Sequence, residues 1–165
     1  MNIIAVLVSA LVPMALGMVW YNNKTFGNAW MHASGMTPEK AKQGNMALIF
    51  GLSLLFSFML ALSLQFMVIH QLHITSAFFD YQNQIKDATT PEGSIYKQVM
   101  DLVGTGHRTF GHGALHGTIS GLFVALPIVG INALFEQRSG KYILIHAGFW
   151  TVCMAIMGGI LSVWM

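Results

Sequence analysis

Apolar positions gather in four long blocks, about residues 2–22, 46–69, 113–135 and 142–165, and none of the four contains Asp, Glu, Lys or Arg. A helix rising 1.5 Å per residue needs about 20 residues to cross about 30 Å of hydrocarbon, and each block meets that length. Backbone amides in lipid must bond within their own segment, so the pattern predicts helices rather than open strands. The fold class expected is all-α: an integral membrane bundle of four transmembrane helices in a single domain over residues 1–165. The first block has no Lys or Arg before it and no small-residue cleavage site after it, so it reads as a retained span and not a signal peptide. Pro13 and Pro127 fall inside spans one and three, where kinks are tolerated if neighbours satisfy the freed carbonyls.

Between the blocks the pattern becomes mixed. Loop one carries two short helix signatures. Thr25 is placed to cap a turn with Phe26, Ala29, Trp30 and Ala33 on one face and Gly35 as its stop. Thr37-Pro38-Glu39 then reads as an N-cap, a first-turn proline and a favourable charge. The Phe26/Trp30 face belongs at the headgroup boundary beside Trp20 and Tyr21. Loop two, residues 70–112, is the long one. Its segment 74–81 reads as a continuation of span two. Thr90-Pro91-Glu92 opens an amphipathic helix ending near Gly104, with Ile95, Val99, Leu102 and Val103 opposite Lys97 and Asp101. Covering its own bundle is the expected duty of that helix, with membrane-surface contact the alternative. Loop three is a tight hairpin that makes spans three and four antiparallel neighbours.

Composition reinforces the membrane reading. Apolar residues make up 55% of the chain and charged residues only 8%, against about 25% in soluble domains. A water-soluble enzyme would lack the charges to cover its surface, and a chain this apolar does not stay expanded in water. The net charge of +2, spread through the loops, gives no nucleic-acid signature. A lone cysteine, Cys153, has no internal disulfide partner. Lys24, Lys40, Lys42, Arg138 and Lys141 lie in loops one and three, while the longer loop two holds Lys86, Lys97 and Arg108. The imbalance predicts cytoplasmic loops one and three.

Small residues mark the packing faces. Gly113, Gly117 and Gly121 stack at spacing four in span three, and Ala147, Thr151, Ala155 and Gly159 do so in span four. Span two offers Ser53, Ser57 and Ala61. Helices in lipid associate through close backbone approach, which glycine permits. Most of these seams are expected to close the bundle within one chain, which leaves room for one homo-oligomer interface or a larger membrane assembly.

Histidines carry the candidate chemistry. His70 and His73 sit i, i+3 at the end of span two, and His112 and His116 sit i, i+4 at the start of span three. Each pair shares a helix face, and both pairs lie on the same membrane side, with His107 nearby. Four converging imidazoles suit a transition metal or haem. The competing reading is ordinary interfacial or cap-bonding histidines. At the opposite end, Asn132 and His146 lie at similar depth and are expected to form a structural polar pair. No charged side chain lies at mid-membrane depth, which disfavours ion-coupled transport. There is also no catalytic triad, phosphate loop or carboxylate pair.

The segments Trp20-Tyr21, Phe26-Gly27, Trp30-Met31 and Ser34-Gly35-Met36-Thr37 resemble the start of a bacterial membrane family, domain-of-unknown-function family 1761. His112-Gly113-Ala114-Leu115-His116-Gly117, Asn132-Ala133-Leu134-Phe135-Glu136 and Met157-Gly158-Gly159 extend the likeness over nearly all four spans. The resemblance implies a small four-helix protein of the bacterial inner membrane and attaches no reaction, so no catalytic residue carries over. Three functions are therefore weighed. A structural or accessory membrane protein, not an enzyme, is the reading the sequence favours. A metal- or haem-binding protein built on His70, His73, His112 and His116 is the alternative. A small-solute channel or an enzyme on lipid-soluble substrates comes third, and needs a polar cavity reaching Gln65 or Ser120.

Overall fold

The computed structural model describes residues 2–164 and is all-helical. The elements are α1 (Ile3–Trp20), α2 (Gly27–Ser34), α3 (Pro38–Lys42), α4 (Met46–Val68), α5 (His70–Ala77), α6 (Pro91–Val103), α7 (Phe110–Ser120), α8 (Leu126–Phe135) and α9 (Gly140–Val163). A π-helical turn, Gly121–Ala125, fuses α7 and α8 into one span. Four helices are long and apolar enough to cross a bilayer: Ile3–Trp20, Met46–Val68, Phe110–Phe135 and Gly140–Val163. The chain is a multi-pass membrane protein by that measure, and its surface agrees. Leu55, Phe56, Phe66, Phe123, Leu134 and Leu144 are exposed, a distribution that suits lipid and not water.

Polar side chains close the helix starts. Asn2 accepts from the Ile4 and Ala5 amides, Asn45 from Leu48, Thr90 from Gly93, Thr109 from His112 and Ser139 from Tyr142. Each satisfies donors that have no intrahelical partner. Within the spans, the Ser63, Thr118 and Thr151 hydroxyls donate to the carbonyls of Met59, Ala114 and Ala147 one turn back, so these three hydroxyls are satisfied within their own helix.

The core is built around α9, which packs against α1, α4, α7 and α8. Leu64, Val68, Val6, Cys153, Met157 and Leu161 are buried between these helices. The glycine seam of span three closes on α9. A Cβ at Gly113 would collide with the Gly158 carbonyl, one at Gly117 with the Met154 carbonyl, and one at Gly121 with Thr151. Ala155 meets Gly117 across the seam, and Gly159 lies under the Phe110 ring. Span two contributes Ser57 and Ala61, both buried, whereas Ser53 remains exposed.

Several local expectations change. Thr25 does not cap α2, which has no side-chain cap; its hydroxyl instead lies among the Val19, Trp20 and Asn22 carbonyls, with one proton to donate, and so closes the end of α1. Gly35 does stop α2, at φ 68°, and Thr37 caps α3 through the Lys40 amide. Trp20 packs against Phe26 with centroids 4.6 Å apart, and Tyr21 meets Trp30 edge-on at 5.3 Å. Span two does not run on as one helix. Ile69 adopts extended backbone, φ −110° and ψ 97°, and redirects the chain into α5, after which residues 79–86 form only isolated turns. Helix α6 starts and ends as its pattern predicts, but Ile95 and Leu102 are exposed, so it covers little of the bundle. It is tethered by the Tyr96 hydroxyl, 3.1 Å from that of Thr75, and by Phe78 against the Tyr96 ring.

The π turn has a local cause. Pro127 has no N–H to continue an α ladder, and its ring crowds the carbonyl four residues back. A wider turn relieves both: the Leu126 amide bonds to Gly121 O, five residues back. The turn absorbs one extra residue, so side chains beyond it are rotated by about 100° relative to a continuous helix. Counting from Gly121, an unbroken α-helix would bring Asn132 to the α9-facing side. With the extra residue, Ala133 takes that place and is 1% exposed, while Asn132 is exposed.

Candidate metal centre

The break at Ile69 is what builds the site. It places His70 at the first position of α5, while Thr109 starts α7 so that His112 and His116 face it from successive turns. His70 Nε2 lies 2.8 Å from His112 Nε2, one ring donating and the other accepting. That contact requires a proton on only one of the two facing nitrogens. Ring centroids of His70 and His116 are 4.9 Å apart, and those of His112 and His116 4.6 Å. Together the three offer ligand nitrogens that all lie within 4.8 Å of one another, each ring partly buried. A fourth imidazole, His107, stacks on His112 at 4.8 Å. It occupies a left-handed position, φ 63°, and its carbonyl accepts from the Ser162 hydroxyl. Burial holds His70 below the ordinary imidazole range, and its neighbours His112, His107 and His73 push the same way.

Thus His70, His112 and His116 converge, and His73 does not: it is exposed on the outer side of α5. A shared i, i+3 face on a straight helix would bring His73 in beside His70. The extended residue at 69 aims α5 so that only its first position meets α7. His107, expected nearby, lies outside this group of three and reaches His112 by ring stacking, from a left-handed loop residue and not from a helix face.

The Asn132–His146 pair is not formed. His146 Nδ1 lies 3.2 Å from the Tyr21 hydroxyl instead, and its Nε2 is buried without a hydrogen-bond partner among the described residues. The rotation imposed by the π turn carries Asn132 away. Burial raises the Tyr21 phenol above its ordinary range, with Cys153 and Tyr142 adding to the effect, so the hydroxyl stays protonated. Glu136 and Arg138, expected within reach of this pair, bond each other at 3.3 Å, and Arg138 also donates to the Ser34 carbonyl.

Beside the histidines, a cavity of about 600 Å³ lies between the first turn of α1, the ends of α4 and α9, α5 and the loop before α7. Gln65 lines it, whereas Ser120 does not; the Ser120 hydroxyl donates to the His116 carbonyl. The centre of the bundle itself is filled by Leu, Met, Val and Cys side chains.

No curated protein and no solved structure matches the chain. A family model described as protein of unknown function, DUF1761, matches residues 4–162, nearly the whole length. The chain therefore belongs to the DUF1761 family.

Proposed function

We propose that this protein binds a transition-metal ion of the zinc or copper class at the loop-two end of its bundle. His70, His112 and His116 act as ligands, with His107 able to close the fourth position. The observation that carries the reading is the convergence of three imidazole nitrogens within 4.8 Å from two separate helices. A tetrahedral ion at 2.0–2.1 Å from each nitrogen separates its ligands by about 3.4 Å, so small side-chain rotations suffice. An all-imidazole set suits zinc, copper, nickel or iron and is poor for magnesium or calcium. Haem fits less well: His70 and His112 touch directly, which leaves no gap for a porphyrin plane between them.

The accessory reading keeps one support, the absence of charge within the spans. Its oligomer argument weakens, because the glycine seam is taken up against α9 of the same chain. The basic residues of loops one and three support a bacterial cytoplasmic-membrane topology in which those loops are cytoplasmic and the histidines face the other side.

The test is metal titration of the detergent-purified chain, made without a polyhistidine tag and stripped with chelator. Cobalt(II) serves as the spectroscopic probe and zinc as its competitor. One cobalt ion per chain, displaced by zinc, is expected. His112→Ala or His116→Ala should weaken binding by more than about a hundredfold, beyond the 10–100-fold cost of losing an outer-shell partner. His73→Ala should leave it unchanged. Equal binding by wild type and the triple variant lacking His70, His112 and His116 would overturn the assignment.

A further inference from the structure

The cavity beside the histidines has a chemistry of its own. Its polar lining is Arg108, Gln71, Gln65, Thr75 and Asn2, with no carboxylate among its residues. Arg108 forms no ion pair among the described residues: its terminal nitrogen donates to the Trp164 carbonyl at 3.0 Å, and its Nε is buried without a partner. Gln71 is the complementary case. Its amide nitrogen donates to the Val103 and Gly106 carbonyls at 2.8 and 3.0 Å, which fixes the side chain and leaves Oε1 buried and unpartnered. The residues lining this space thus include a cation without a carboxylate partner and an amide whose oxygen is unsatisfied. Native structures rarely leave such groups orphaned.

The remaining walls are apolar. Leu72, Leu161 and Trp164 line the cavity, and so do Ile3 and Ile4, which are exposed on the outer face of α1. The cavity is therefore continuous with the lipid-facing surface at the level where a span meets its loop. A guanidinium fork matches a phosphate oxygen pair, and a buried amide oxygen needs a hydroxyl or N–H donor.

We propose that this cavity binds the headgroup of an anionic phospholipid that carries hydroxyls, the glycerol-phosphate class. Arg108 takes the phosphate, Gln71 Oε1 accepts from a headgroup hydroxyl, and Ile3, Ile4 and Trp164 flank the acyl chains. The shared recognition chemistry is a phosphate oxyanion, and the apolar walls favour the lipid as its source over free phosphate.

Native mass spectrometry and thermal unfolding of the chelator-treated full chain test this separately from the metal reading. The protein is placed in phosphatidylcholine nanodiscs, alone or doped with phosphatidylglycerol or phosphatidic acid, and inorganic phosphate is added in a further arm. Phosphatidylglycerol should be retained and should raise the unfolding temperature, with phosphatidic acid weaker because it lacks the headgroup hydroxyls. Arg108→Gln should reduce retention by about tenfold or more, the range for a lost charge-assisted bond. Arg108→Lys, which keeps the charge without the fork, should fall between. If Arg108→Gln does not fold, Gln71→Leu serves: it should abolish the preference for phosphatidylglycerol over phosphatidic acid. Equal stabilisation by inorganic phosphate alone would support the oxyanion site and reassign its source. Retention of phosphatidylglycerol no greater than that of phosphatidylcholine, or unchanged in Arg108→Gln, would overturn the proposal.

Discussion

Residues at the two ends of the bundle show how a polar group is managed where water is scarce. At one end Tyr21 stays protonated and meets His146; at the other, facing imidazoles share a hydrogen bond. The second arrangement has a definite pH response. His70 is held below its ordinary value by burial first and by its imidazole neighbours next. Between the ordinary value near 6.5 and that lower one, the unfolded chain binds a proton that the folded chain refuses. Stability from this group is therefore present above about pH 6.5 and is lost as pH falls through the window. Ligation runs the same way, because an imidazole must be neutral to bind a metal. Cobalt affinity should hold near neutral pH and fall only as the pH drops through and below the ordinary imidazole range. A flat profile across that range would speak against neutral imidazole ligands. The convergence of His70, His112 and His116 was legible from spacing and topology. The exclusion of His73 and the stacking of His107 on His112 were not, since each depends on a single backbone angle pair in a loop or hinge.

Helices pack here by the geometry of small residues. Gly117 lies so close to α9 that a methyl group would overlap the Met154 carbonyl, which is backbone and cannot rotate aside. Gly117→Ala should therefore destabilise the bundle by about 1–3 kcal/mol, the usual cost of overpacking. Gly51→Ala is the control. Nothing lies within 4 Å of its Cβ position, so alanine's better helix propensity should leave stability unchanged or slightly raised. Unfolding in mild detergent with increasing sodium dodecyl sulfate compares the two, and similar curves would remove the seam from the account. The seam was visible in the sequence because a four-residue repeat of glycine has few other uses in a lipid-embedded helix. The π turn was not. Proline announced a disturbance at 127, but kink and π turn are alternative responses, and the choice decides which of Asn132 and Ala133 faces α9.

Taken whole, the molecule is an apolar bundle with its polar chemistry confined to one end. Four crossings put loops one and three on one side and loop two, with the histidines and the Arg108 cavity, on the other. Single-cysteine labelling checks this: Lys24→Cys and Lys141→Cys should react from one face of sealed vesicles, and Gln84→Cys from the opposite face. Native Cys153 is fully buried and should stay silent, so it need not be removed. Labelling of positions 84 and 141 from the same face would require an even number of crossings between them, where this topology has one. The number of spans, the seam of span three and the end of the bundle at which the histidines gather follow from the sequence alone, because burial in lipid permits only charge-free helices of fixed length and rewards close contact. Which imidazoles meet, which partner His146 takes and whether a polar cavity opens beside them were decided only by the tertiary structure. Those outcomes turn on the extended residue at 69, the left-handed residue at 107 and the extra residue of the π turn, local backbone choices that differ little in intrinsic energy and are selected by the packing of the whole chain.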